Sequence, residues 1–321
     1  MANEISNFIN TSGLTYCGKE AREIFSKEVY NLDLFGYGIR LMDGVKGKMK
    51  LYNGEVGDVW QEYTCPFTPQ GEVSLSESFI EPVEIKVNLE NCYDVFWDTY
   101  LVEQTRISLN GGIPQTFYDW FFNDILVKKM DKEYQEIFWK GDSSYTGTAK
   151  SYLAVTDGVE AQLAASSAVT SIQGTAFTVS NILTQVESVV MSGLSIANSA
   201  ETDTEKFKIF MNVGDVRLLR VALGKLTNGN TTSAIFSNYA KEGEKIYILG
   251  FEVVPTMQSV NTIIFGPANN LVLGFDTADS HVQYKIIDLR DTTGDNAFRV
   301  IAISNIAVGV VYPELFTYLA V

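Results

Sequence analysis

Histidine and cysteine are almost missing from this sequence: His281 is the one histidine, and Cys17, Cys65 and Cys92 are the three thiols. A single histidine between Ser280 and Val282, with no nucleophile motif beside it, argues against triad hydrolysis. The chain also lacks GxSxG, HExxH, a Walker loop and GxGxxG. His281 reads as a surface residue at a strand end. Three cysteines without CxxC spacing form neither a disulfide framework nor a zinc site, so reduced, packed thiols are expected. Gly44-Val45-Lys46-Gly47-Lys48 resembles a phosphate loop in composition only, because it lacks the four-residue spacer and the Ser or Thr; it reads as a basic turn. No catalytic residue, cofactor or metal ligand is singled out.

Positive charge is also scarce. Lys and Arg number 24 against 39 Asp and Glu, a formal charge of -15. Such a surface repels phosphate backbones at long range, which argues against a sequence reader of nucleic acid. A container that does not grip its contents needs no basic groove. Long apolar runs are missing too: Val300 to Val311 is broken by Ser304, Asn305 and Gly309 and falls short of the ~20 residues a bilayer span needs. The start, Met1-Ala2-Asn3-Glu4-Ile5-Ser6, has no basic segment followed by an apolar run, so a cytoplasmic protein is expected.

What is present suits a globular protein. The apolar fraction is 46% and the charged fraction 20%, and 321 residues suffice for one large domain or two to three lobes. Residues 1 to about 40 read as an arm with one short helix, carrying Ile24, Phe25, Val29, Tyr30, Leu32, Leu34 and Phe35, which would dock on something else. From Lys48 to Leu89 the pattern is strand-like. Val73 and Leu75 alternate with serines, and Val83, Ile85, Val87 and Leu89 alternate with polar residues. Pro66, Pro69 and Gly71 punctuate a broad turn, so a long two-stranded hairpin is expected, with Trp60, Tyr63 and Phe67 near its tip. An isolated ribbon is marginal in water, and these three aromatics are the candidate contacts with another subunit.

A long helix is predicted from near Pro114 to about Trp139, stopped by Gly141-Asp142. Phe117, Phe121 and Ile125 form one stripe, and Leu126, Met130, Tyr134 and Phe138 continue on an adjacent one. Ser143 to Gly174 carries no assignable pattern. A helical face from Val179 to Leu194, a strand Lys206 to Met211 and a helix from about Asp215, whose charge suits the first turn, are the grammar of an α/β lobe. The last eighty residues read as strands: Lys245 to Pro255, Thr262 to Phe265, Leu271 to Phe275, Val282 to Leu289 and Phe298 to Val311, with a turn at Pro267 to Asn270.

This order of parts, with Ile248-Leu249-Gly250-Phe251-Glu252-Val253-Val254-Pro255, Asn261-Thr262-Ile263-Ile264-Phe265-Gly266 and Val308-Gly309-Val310-Val311-Tyr312-Pro313-Glu314-Leu315-Phe316, resembles the tailed-bacteriophage major capsid proteins of the Hong Kong 97 fold. The likeness covers most of the chain in architecture and about residues 200 to 321 in recognisable text. It implies an α+β fold with an arm at 1–40, an extended β-hairpin loop at 41–85, and a peripheral domain of 86–150 with 277–312 carrying a spine helix at about 114–139. An axial α/β domain would comprise 151–276 with 313–321.

The resemblance further implies a non-enzymatic subunit that assembles with itself, in the host cytoplasm, into pentamers and hexamers of an icosahedral virion shell. Its other partners would be a portal, a separate scaffolding protein, in some members decoration proteins, and packaged double-stranded DNA held without sequence-specific binding; no membrane is involved. Some members cross-link a lysine of the extended loop to an asparagine of a neighbour. Lys46, Lys48, Lys50 and Asn305 are residues of those types here, though both types are common. An encapsulin-type compartment shell shares the fold, and an intracellular α+β enzyme is the rival of another class. Size separates the enzyme from a shell, and the neighbouring genes separate the two shells.

Overall fold

A computed structural model of the chain describes residues 15–16, 37–57, 60–63, 71–109, 116–199, 206–227, 245–275, 284–290 and 293–321. In chain order the strands are β1 (Thr15–Tyr16), β2 (Arg40–Asp43), β3 (Met49–Val56), β4 (Val73–Ile80) and β5 (Val83–Cys92). Helix α1 (Tyr93–Leu109) follows, then α2 (Phe117–Trp120), a π-helical turn Phe121–Leu126, and α3 (Val127–Lys140). Next come α4 (Val159–Ala165), β6 (Thr170–Gln173), α5 (Ile182–Ser199), β7 (Phe207–Asn212) and α6 (Val213–Thr227). The chain closes with β8 (Ile246–Ile248), β9 (Phe251–Thr256), β10 (Ile263–Pro267), β11 (Leu271–Phe275), β12 (Tyr284–Asp288), β13 (Ala297–Val310) and β14 (Thr317–Ala320). No helix among the described residues is long and apolar enough to cross a membrane.

The chain divides into two units, Met1–Asp33, Val83–Gln135 and Phe275–Ile306 in one, and Leu34–Pro82, Glu136–Gly274 and Ala307–Val321 in the other. In the first, β13 runs antiparallel between β12 and β5, and its register with β5 holds over ten residues, from Ala297 opposite Cys92 to Ile306 opposite Val83. The period-two pattern of β5 explains its place: odd positions are half-buried and even ones exposed. This is a correction to the ribbon expected from Lys48 to Leu89, since Val83 to Leu89 belongs to this sheet. Over it lies an aromatic core of Tyr93, Phe117, Trp120, Phe121 and Phe298, with neighbouring ring centroids 4.9–6.2 Å apart.

The long helix begins one turn later than Pro114, which lies outside the described residues. Thr116 caps it, accepting from the Asp119 backbone N–H at 3.2 Å and donating its hydroxyl to the Asp119 carboxylate at 2.6 Å. The π-turn explains the two stripes of the sequence. A bond from the Val127 N–H to the Phe122 carbonyl spans five residues, and the extra residue moves the inward face from Phe121 and Ile125 to Leu126 and Met130. Gly141 is needed for close approach rather than a left-handed cap, because a Cβ there would lie 2.6 Å from the Ile137 carbonyl. Its backbone crosses that of Gly158, whose N–H donates to the Gly141 carbonyl at 2.8 Å.

In the second unit, six strands run in the order β6-β14-β10-β7-β9-β8, with β14 parallel to β6 and β7 parallel to β9. Helices α5 and α6 cover a core of Val186, Val190, Ile209, Leu219, Ile263 and Phe265, each fully buried. The helical face expected over Val179 to Leu194 and the strand and helix after it stand where the sequence puts them. Lys245 to Pro255, expected as one strand, is a hairpin turned at Leu249 and Gly250, both with positive φ.

Candidate assembly surfaces

β3 and β4 form a separate two-stranded antiparallel ribbon, in register from Met49 opposite Ile80 to Val56 opposite Val73. Among the described residues, its base is anchored. Ile80 packs with Val45, Val272 and Ala307, flanked by Met49, Leu51 and Val311, and Ser78 donates its hydroxyl to the Val311 carbonyl at 3.3 Å. The expected basic turn is the approach to this base: Gly44 takes φ 79° and Val45 is fully buried. The other side of the base is charged. Lys50 pairs with Glu77 at 2.8 Å and Lys48 with Glu81 at 3.6 Å, and both ammonium groups lie over the Phe79 ring at 5.6 and 5.0 Å. A bond from the Gly57 N–H to the Glu72 carbonyl, 2.8 Å, closes the ladder before the tip.

Beyond that bond, Trp60 is 92% exposed and Tyr63 is 90% exposed. Large apolar groups at that exposure make this tip a candidate contact surface. Phe67 and His281 lie outside the described residues. Of the cross-link residue types, Asn305 is buried in β13, opposite Glu84, and its carbonyl accepts the Tyr134 hydroxyl at 3.3 Å.

Buried polar networks that the sequence does not announce brace the second unit. The loop from Met257 to Thr262 is held by two carboxylates: Glu160 of α4 accepts the Ser259 N–H at 2.5 Å, and Asp215 of α6 accepts the Asn261 N–H at 2.8 Å. Asp215 does sit in the first turn of its helix, as expected, but it also serves as this strut. Burial pushes both carboxyls above their usual range, against the pull of those bonds. Gln258, fully buried, donates its amide to the Phe210 and Thr262 carbonyls at 3.1 and 2.7 Å.

Glu136 is the opposite case. Burial acts to raise its pKa, but hydrogen bonds from Tyr152 and Lys150, the latter at 3.0 Å, outweigh it and hold the carboxyl below its usual range. In the first unit, Tyr118 is pushed up to about 12 by burial and the nearby Asp288 charge, while Arg290 clasps Asp288 at 2.8 Å and stacks 4.1 Å from the Tyr93 ring. Each of these networks ties segments distant in sequence to one another and acts as a brace. Among the described residues, no group of three or more His, Cys, Asp or Glu is placed to hold a metal.

No protein-family model and no curated protein matches this sequence. Its structure, however, is similar over almost its whole length to chains of solved phage capsids. A chain of the satellite phage P4 procapsid that includes the size determination protein aligns with TM-score 0.63 at 10% identity, covering 99% of this chain and 97% of that one. The capsid of Myoviridae phage XM1 aligns at 0.53 and 11%, covering 90% and 91%, and that of the empty GTA particle at 0.53 and 11%, covering 99% and 97%. The chain therefore has the α+β fold of phage capsid structures, as the sequence resemblance implies.

Proposed function

We propose that this chain is the major capsid protein of a tailed virus, a structural subunit that assembles with itself into pentamers and hexamers of an icosahedral shell around double-stranded DNA. The observation that carries the reading is the end-to-end likeness to the P4 procapsid chain, 99% of one chain on 97% of the other. A ribbon with exposed aromatics agrees with it.

In this reading β3 and β4 are the body of the extended loop expected over 41–85, whose last residues from Val83 lie in β5 instead, and residues 1–40 are the arm. The helix from Phe117 to Lys140 is the spine of a peripheral domain made of 86–150 and 277–312, and 151–276 with 313–321 is the axial domain. Trp60, Tyr63 and Phe67 meet a neighbouring subunit. Portal, scaffolding and decoration proteins are the further partners, and the DNA is enclosed without sequence-specific contacts. Sedimentation and negative-stain microscopy of the purified chain test the proposal: capsomers or shells are expected, and a small soluble oligomer under all assembly conditions would overturn it.

A further inference from the structure

β5 is a long and regular strand for a sheet edge. It runs ten residues, its register is unbroken by Pro or a bulge, and among the described residues it pairs with β13 alone. The ladder fixes which backbone groups face outward. Tyr93, next in register, donates its N–H to the Asn296 carbonyl at 3.2 Å, so odd-numbered residues of β5 bond to β13 and even-numbered ones turn their N–H and C=O away. β13 agrees, because the Ala297 carbonyl turns to the other side and accepts the Leu289 N–H at 2.9 Å. The outward backbone groups are thus those of Glu84, Lys86, Asn88 and Glu90, whose side chains are exposed. Val87 and Leu89 pack on the aromatic core but are only half-buried, as residues on an open edge are. Natural edges are commonly short, bulged or broken by Pro, because a long regular one is a template for a further strand.

We propose that a second copy fills this edge with its own β5, antiparallel about a two-fold axis at Asn88, so that two sheets become one. Charge and proline choose the register. With the axis at Asn88, Lys86 of each copy stands opposite Glu90 of the other, Asn88 meets Asn88, and Glu84 meets Cys92. Arg299 holds one oxygen of Glu90 at 2.6 Å, which leaves the other for Lys86. On the core side Val87 stands beside Leu89 of the second copy, continuing the apolar face of the sheet. About ten backbone hydrogen bonds close the seam. The neighbouring registers are worse. An axis at Val87 sets Glu84 against Glu90, one at Lys86 sets that lysine against itself, and one at Leu89 pairs no opposite charges. An axis at Ile85 sets Pro82, which has no N–H, against the outward groups of Asn88. Parallel pairing in register sets each charge beside its like. The inference rests on the capsid reading, which brings copies together about two-fold axes, and adds a named contact to it.

Site-resolved hydrogen exchange on the wild-type chain tests it without a mutation. The amides of Lys86, Asn88 and Glu90 should exchange fast in free subunits and on the order of a hundredfold more slowly in particles, while those of Ile85, Val87 and Leu89, bonded to β13, are slow in both. Disulfide trapping reads the register. In a chain with Cys17, Cys65 and Cys92 changed to Ser, Asn88→Cys should run as a covalent dimer on a non-reducing gel after particles are oxidised. Opposed Cα atoms of a hydrogen-bonded pair lie about 5.5 Å apart, within disulfide reach. Lys86→Cys and Glu90→Cys should each remain monomeric, because each lies ~13 Å from its own copy, and Lys86→Cys/Glu90→Cys should cross-link. Fast exchange at Lys86, Asn88 and Glu90 in wild-type particles, or Asn88→Cys particles without the covalent dimer, would overturn the edge contact and leave the capsid reading standing. If the wild-type chain forms no particles under any assembly condition, the capsid reading falls and the edge contact with it.

Discussion

Glu136 and Glu160 are both carboxylates with buried partners, yet their pKa values move in opposite directions, and the difference predicts opposite responses to mutation. Glu136 is more acidic in the folded chain than its ordinary value of 4.5. Its contribution is therefore present above that value and lost as pH falls through the lower folded pKa. Glu136→Gln should cost about 1–3 kcal/mol at pH 7, read as a lower Tm, and the gap to wild type should narrow below about pH 4.5. Glu160 is less acidic when folded, so ionisation opposes folding at pH 7 and the wild type gains stability as pH falls through the raised pKa. Glu160→Gln keeps an acceptor for the Ser259 N–H without the buried charge. Its Tm at pH 7 should equal or exceed that of wild type, and a large drop would mean that the charge itself holds the loop.

Trp60 and Tyr63 belong to the same scale. Because they are almost fully exposed, Trp60→Ser/Tyr63→Ser should leave the Tm of the isolated chain unchanged within a degree or two. If they anchor an interface, particle yield should fall tenfold or more, since truncating such anchors costs about 2 kcal/mol or more each. Unchanged yield in sedimentation would remove these residues from the contact.

At the scale of elements, the ribbon and the long helix differ in what holds them. Eight residues per strand at ~3.3 Å each carry the β3–β4 ladder about 26 Å, and among the described residues it is the base that meets a core. Replacing residues 59–71 by a short Gly-Ser turn should therefore keep helix content and a cooperative melt by circular dichroism while abolishing shells by sedimentation. Loss of the cooperative transition would mean that the tip supports the subunit's own fold. The helix from Phe117 to Lys140 is legible in its stripes, and even the π-turn is written as the step from Ile125 to Leu126. α1 is not legible, because a helix with apolar residues on both faces has no amphipathic period to read.

For the whole molecule the governing quantity is charge. A chain at -15 gains little counterion release from DNA, so free subunits should bind unrelated duplexes weakly and without preference at physiological salt. Filter binding checks this, and nanomolar, sequence-selective retention would contradict a container that lets its contents slide.

Periodicity and punctuation by themselves determined most element types: the strand alternation of β5, the inward stripes of the long helix, the helix–strand–helix order of the second unit, the turn at Ala268 to Asn270. What they left open were partners, because alternation tells a strand which of its faces is apolar and not which strand lies beside it. β5 could have closed the ribbon with β3; it pairs with β13, some two hundred residues away, and only the folded chain decides such a long-range register. The carboxylate struts on the loop from Met257 to Thr262 are of the same kind, since Glu160 and Asp215 are ordinary acids until α4 and α6 carry them to one backbone segment. The exposed apolar residues of α1 likewise emerged only in three dimensions, where packing of its aromatic face left Val95, Val102 and Leu109 on the surface.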